Sequence, residues 1–275
     1  MFINRREIHS MKPKILVGSP VSIHHAYCTP QYLEAIRNLT YPDYDILLAD
    51  NSPTPEFCKY LRKQGVNCMR VGHKIKSIPD RILNGALYLG KHALENGYDY
   101  LFIVEQDIIP PGNAVELFLE DKKPALTGIY FNLKQMGREV YRVPVLYTWP
   151  SGGDKKQLLK NREELEKQNP ELYKALKEGN FDFSKIRKQV SIEDLKRQRL
   201  LRVKASGAGC LFIHRSVLGK VPFRSNPEGF YDVMFGLDLE NKGIPFYADT
   251  SVVCRHMVLS RPWTWERGEI KPVGK

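Results

Sequence analysis

The stretch YDYLFIVEQDIIPP, residues 98–111, runs from apolar residues straight into Glu105, Gln106 and Asp107, and two prolines follow. Side chains at i and i+2 of a strand point to the same side. Glu105 and Asp107 would therefore offer two hard oxygen donors at an open strand tip, which suits Mn²⁺ or Mg²⁺. Pro110 and Pro111 would stop the ladder and hold the tip open. The plain alternative is a solvated polar turn. Asp232, in GFYDVMFGLDLENKG, falls at the start of a helical pattern, where the helix dipole favours a carboxylate. It is either a cap or a general base for a hydroxyl. His256 ends an apolar run, and a neutral imidazole is a common third ligand beside two carboxylates. Gly207 and Gly209 would admit a ligand close to the backbone, or mark a bulge.

These residues need a scaffold, and the pattern supplies one. KILVGSP, YDILLADNS, VNCMRVG and YDYLFIVEQD read as strands. Between them TPQYLEAIRNL, PEFCKYLRKQG and IPDRILNGALYLGKHALENG carry apolar residues at helical spacing, with Gly65 and Gly97 as stops. Alternating strand and helix means βαβ units and a mainly parallel sheet, with ligands beyond the carboxyl ends of its strands. PALTGIYF, YRVPVLYTW, the run through CLFIH and PFYADTSVVCRH add further strands. Residues 151–204 differ: they are polar, helical in pattern, and hold over half of the chain's +11 surplus charge. They read as a basic helical insertion in one domain spanning 12–275, after a loose leader over 1–11.

Composition narrows the class. The chain has 275 residues, enough for a sizeable core. No run of apolar residues is long enough to span a bilayer, and the start lacks the apolar middle of a signal peptide. Five scattered cysteines contain no C-x-x-C pair, which suggests neither a zinc ribbon nor a disulfide framework. A cytoplasmic protein with acidic partners such as nucleotides, phosphates or anionic lipid is the expectation.

The order of the motifs resembles the GT-A glycosyltransferases, close to the family 2-like group. VGSPV, LLADNS, DRILNGAL, VEQD, SGAGCLFIHRSVL, FYDVMFGLDLENKG and CRH occur in that order over about residues 12–256. The resemblance implies an α/β fold with a mixed central sheet and transfer of a sugar from a nucleoside-diphosphate sugar. It implies that Ser19, Pro20 and Val21 line the nucleoside pocket and that Asp50 contacts base or ribose. Arg81 would approach base or diphosphate, with Asn84 nearby. Glu105 and Asp107 would stand for the family's DxD, Asp107 as the stronger metal ligand and His256 completing the shell. Asp232 would be the catalytic base of an inverting displacement. Two departures are Glu in place of the first DxD acid and Tyr231 before the base. The donor would be UDP- or GDP-linked. The acceptor stays open, with a lipid-linked group or a glycan as candidates, and the excess positive charge of 151–204 could meet a lipid-linked phosphate or an anionic membrane surface.

Other residues stay secondary. His24 and His25 could touch donor or acceptor, and His73 and Lys74 could help hold phosphate, the plain alternative for all four being a solvated surface loop; Arg255 and Arg261 could flank a diphosphate. RPWTWERGE could fold over the site or simply dock. A dinucleotide oxidoreductase would need G-x-G-x-x-G after a strand, and the first turn is GSPVSIHH instead. A nucleotidyltransferase loop rich in Gly and Arg is absent there too. A nucleic-acid-binding module would rest on the charge alone, since 151–204 has few aromatics to stack on bases. A non-catalytic nucleotide-sugar-binding relative is the remaining alternative.

Overall fold

Ile15–Val21 (β1) is buried along its whole length, as expected of a strand covered on both faces. Its neighbours are Tyr44–Asp50 (β2) and Tyr100–Val104 (β4), both parallel to it. Asn67–Arg70 (β3) extends the parallel run beyond β2. These assignments come from a computed structural model. It describes residues 12–136, 139–151, 187–225 and 230–257, scattered positions between 152 and 186, and the paired strands Trp263–Glu266 and Glu269–Pro272. The expected leader, the helices read in KKQLLKNREELEKQ and NPELYKALKEG, and Arg261 lie wholly or largely outside the described residues.

Three helices follow the pattern of the first half: Thr29–Arg37 (α1), Glu56–Lys63 (α2) and Ile78–Glu95 (α3); Ala114–Asp121 (α4) is a further helix that the sequence reading did not single out. The stops are real. Gly65 and Gly97 take φ of +78° and +74°, the left-handed conformation that ends a helix without a Cβ clash. Ser77 caps α3 through its hydroxyl, which accepts from the Asp80 N–H at 3.4 Å. A short strand Ile108–Ile109 (β5) precedes α4, and Ala125–Ile129 (β6) follows it.

After β6 come Phe131–Met136 (β7), Glu139–Pro144 (β8), Leu146–Thr148 (β9), Lys188–Gln189 (β10), Ile192–Arg197 (α5) and Leu200–Arg202 (β11). Then follow Ala205–Ser206 (β12), Cys210–His214 (β13), Arg215–Leu218 (α6), Tyr231–Asn241 (α7), Tyr247–Val253 (β14) and Arg255–His256 (β15). The main sheet has eight strands in the order β11-β14-β6-β13-β4-β1-β2-β3. β13 runs antiparallel to β4 and β6, and β11 antiparallel to β14. The mixed α/β sheet expected from the sequence is therefore present.

One face of the sheet packs Leu16, Leu47, Leu101 and Ile103 against α3 and α7. The other packs Val17, Leu48, Phe102 and Phe212 against Tyr32, Phe57 and Phe118. Close approach sets α3. A Cβ on Gly85 would lie 3.0 Å from Pro20, so the Asn84–Gly85 pair lets α3 settle on the end of β1. The end of the basic segment is built into the sheets: β10 pairs with β9, β11 joins the main sheet, and Lys204 is buried 3.7 Å from Glu240. The apolar anchors Val190, Leu200, Leu201 and Val203 explain this, and the charge pattern concealed them in the sequence.

Behind the sheet edge, Asp121 and Asp249 come together beside Arg199, which lies 3.1 Å from Asp121 and 3.4 Å from Asp249. Burial, reinforced by the Asp249 charge, pushes the Asp121 carboxyl up to about 6, against the pull of Arg199. Its ordinary value is 3.8. The folded chain thus keeps a proton that the unfolded chain has lost, and stability falls as pH rises through that window. Asp121→Asn is expected to raise Tm at pH 7–8 and to leave it unchanged below about pH 4; thermal melts across that range check this.

Candidate active site

The chain leaves β4 at Val104, and the strand ladder continues for one more bond: the Glu105 N–H donates to Gly209 O at 3.0 Å. The Ile108 N–H then donates to Glu105 O at 2.9 Å, closing a turn. Glu105 and Asp107 therefore meet on a turn, not on an extended strand as i and i+2 spacing implied. Gln106 faces the other way and is buried. Its Oε1 accepts from the Ser22 N–H at 2.8 Å, and its Nε2 donates to Thr29 Oγ1 at 2.7 Å and His25 O at 3.2 Å. One side chain thus ties the acidic turn to the loop after β1. The prolines do not end pairing at once, because β5 pairs with β15 before Pro110 and places His256 opposite Ile108.

His256 is fixed by that pairing. Its Nδ1–H donates to Phe131 O at 2.9 Å, which leaves Nε2 facing Asp107 Oδ2 at 3.2 Å. In the neutral imidazole this places a lone pair against a carboxylate, so either a proton or a metal cation must lie on that side. A carbonyl on the far nitrogen is the usual means of orienting a metal-binding histidine. Tyr130 packs edge-on against His256 with ring centroids 5.4 Å apart. Gly207 and Gly209 serve this ring. A Cβ on Gly209 would come within 2.6 Å of Tyr130 Cζ, and one on Gly207 would overlap the hydroxyl. The Gly209 N–H donates to Tyr130 Oη at 3.2 Å. The close approach expected of a ligand is made by tyrosine.

Asp232 lies in the first turn of α7, where its Oδ1 accepts from the Val233 N–H at 2.7 Å. Burial raises its pKa, while backbone donors and the nearby Arg187 oppose the rise. Glu105 is pushed up to about 8, by burial first and then by the charges of Asp107 and Asp232. The three carboxylates thus share one region. The Tyr231 hydroxyl is buried, faces Glu105 and has no closer partner. Helix α7 can place Asp232 here because Gly236 has no side chain: a Cβ would lie 2.5 Å from Lys204 O.

Beside the turn opens a cavity of about 390 Å³, lined by Pro20, Val21, Ser22, Asn51, Arg81 and Ile82, with His24 and His25 at its rim and Glu105 and Asp107 at its end. Ser19 and Asp50 do not line it. The Ser19 hydroxyl is turned into the sheet and donates to Pro20 O. Asp50 is fully buried, and its Oδ1 accepts from the Ser52 N–H and hydroxyl. Its Oδ2 has no hydrogen-bond partner and lies 3.9 Å from Arg70 Nε. Asn84 packs behind Arg81 against the Gly72 loop. Arg81 Nε is buried without a partner, as is His73 Nδ1. Gln106, Tyr130, Asn51 and Arg187 are the site residues that sequence reasoning did not single out. A polar residue between two acids was the available signal for Gln106.

No family model and no curated protein matches the chain. Solved structures do. A mannosyltransferase from Pyrobaculum calidifontis, PcManGT, in complex with GDP-Man and Mn²⁺ superposes with a TM-score of 0.52 at 13% identity, over 92% of this chain and 59% of that one. GalNAc-T7 with UDP, GalNAc and Mn²⁺ gives 0.52 at 9% identity, over 90% and 44%. A197 from STIV aligns over 95% of this chain and 94% of its own at 14% identity, with a TM-score of 0.47. The fold is the GT-A fold of nucleotide-sugar transferases. The chain spans little more than half of PcManGT and less than half of GalNAc-T7.

The packing predicts the cost of disturbing it. Gly236→Ala should push α7 from Lys204 and cost about 1–3 kcal/mol, the usual range for overpacking. Denaturant unfolding should show the loss, and Gly90→Ala, where a Cβ has 3.7 Å of room, should show much less.

Proposed function

We propose that the protein is a metal-dependent glycosyltransferase that moves a sugar from a nucleoside-diphosphate sugar to an acceptor hydroxyl with inversion, acting as a single catalytic domain over 12–275. The observation that carries this reading is the meeting of Glu105 and Asp107 at a cavity that also presents Arg81, with Asp232 near enough for its charge to act on Glu105. Three partly buried carboxylates, with Glu105 held up to about 8 by burial and the charges of the other two, make a site whose repulsion a cation would relieve.

The donor set fits Mn²⁺ or Mg²⁺. Glu105 and Asp107 supply hard oxygens and His256 an oriented nitrogen. Among the described residues no three His, Cys, Asp or Glu side chains form a metal cage by themselves. Such ions commonly complete their shell with substrate phosphate and water. When bound, the ion would supply Lewis-acid stabilisation of charge on the departing diphosphate.

The chain's own residues supply the rest. Pro20, Val21 and Asn51 would hold the nucleoside, and Asp50 would support Asn51 and the turn at the end of β2. Arg81 would bind the diphosphate. The acceptor oxygen attacks the anomeric carbon while the bond from that carbon to the diphosphate oxygen breaks. Asp232 takes the hydroxyl proton, a role suited to a carboxylate whose pKa burial has raised. A single carboxylate on the face opposite the leaving group gives inversion.

Calorimetric titration of UDP and GDP, with Mn²⁺ or with chelator, tests the reading. One nucleotide should bind only with Mn²⁺, and Asp107→Ala should weaken that binding at least tenfold. Asp232→Asn should keep nucleotide binding and lower transfer by about 10²–10⁴-fold, the usual worth of a general base. Failure of both nucleotides to bind under any metal condition would sink the proposal.

A further inference from the structure

The basic segment brings one residue toward the site. Arg187 stands just before β10 and lies over Tyr147, which pairs with Ala205 in β12. Helix α7, which carries Asp232, packs on Ala205 through Gly236, and the Arg187 charge favours the ionised form of Asp232. The pairing that follows anchors the chain just after Arg187: Lys188 pairs with Thr148, Gln189 pairs with Tyr147, and Gln189 Nε2 donates to Pro144 O at 2.9 Å. The guanidinium carbon lies 5.7 Å from the centre of the Tyr147 ring. Among the described residues it makes no hydrogen bond and no close ion pair. A guanidinium settled on an aromatic face with its donors unused is ready for a planar or tetrahedral anion. Two residues on, Trp149 carries Arg202 in the same manner, at 5.4 Å. Alternate residues of one short segment thus each hold an arginine.

Asp232 alone does not explain this arrangement. A carboxylate that needed only charge compensation would be expected to take a direct, bidentate bond from its arginine. The N–H of Val233 supplies its close donor instead, and Arg187 stands nearby with its fork free. An acceptor hydroxyl presented to Asp232 would place the next few atoms of the acceptor within reach of that fork.

We infer that Arg187 binds a phosphate group carried by the acceptor and so aligns the acceptor hydroxyl with Asp232, making it a specificity-determining residue for a phosphorylated acceptor. The inference rests on the reading of Asp232 as the base. A phosphate of this kind comes either from a soluble phosphorylated alcohol or from a lipid headgroup.

Binding to the full chain saturated with Mn²⁺ and nucleotide tests it without requiring turnover. The probes are glycerol 3-phosphate, with glycerol as its uncharged control, and phosphatidylglycerol vesicles, with phosphatidylcholine as theirs. Wild-type protein should bind the phosphorylated member of at least one pair and not its control. Arg187→Ala should weaken that binding at least tenfold while leaving UDP or GDP affinity and Tm unchanged, and Arg187→Lys should recover part of it. An effect confined to glycerol 3-phosphate identifies a soluble acceptor class; one confined to the vesicles identifies a lipid headgroup. Equal binding by wild type and Arg187→Ala, or no binding of either phosphate probe by wild type, overturns the inference. Nucleotide affinity is measured separately, so loss of the donor reading is distinguished from loss of this one.

Discussion

Like charges brought together where water is scarce repel strongly unless something neutralises them. Glu105, Asp107 and Asp232 are in that position, and the surrounding structure can be understood as the framework that keeps them there. Glu105 is held by the last bond of the β4–β13 ladder, Asp107 by the turn and by His256, Asp232 by a helix that approaches through Gly236. None of these supports is a carboxylate's own choice. Each comes from backbone pairing or close packing, whose combined stability outweighs the repulsion. The result is a place where an added positive charge would relieve the repulsion.

The positioning is indirect throughout. Tyr130 braces His256, and two glycines make room for Tyr130. Gln106 links the acidic turn to the loop that edges the cavity, so a single amide sets the spacing of the two. Arg81 reaches the cavity because Gly85 lets α3 lie on Pro20. Small residues do much of this work, since they decide how near two backbones can come.

Much of the fold could be read from the sequence. Alternating apolar runs and helical spacing located the strands and helices of the first half, and Gly65, Gly97 and Gly243 all take the positive φ of helix stops. The acids of the site stood out because they broke apolar runs. The remainder was concealed for physical reasons. Whether Gly207 meets a ligand or a tyrosine depends on a residue far away in the chain. Ser19 and Asp50 sit at strand ends in the pattern yet turn into hydrogen bonds of their own. Arg187 was one of many basic residues until pairing with β9 set it apart. Cys58 and Cys68, ten positions apart, approach so closely that the thiol of one reaches the carbonyl of the other, a contact that spacing between cysteines does not disclose.

The pairing of Thr148 with Lys188 has a topological consequence. Two antiparallel strands bring the chain back to where it left, so Trp149 and Arg187, which follow and precede the paired residues, stand together at a neck. Closing a longer or shorter loop at such a neck changes the free energy only slowly with length. Insertions and deletions there could therefore accumulate without moving the sheet, the acidic turn or α7. The neck is a natural point for lineages of this protein to diverge: the length of chain between the paired strands can change while the sheet and the acidic turn stay the same.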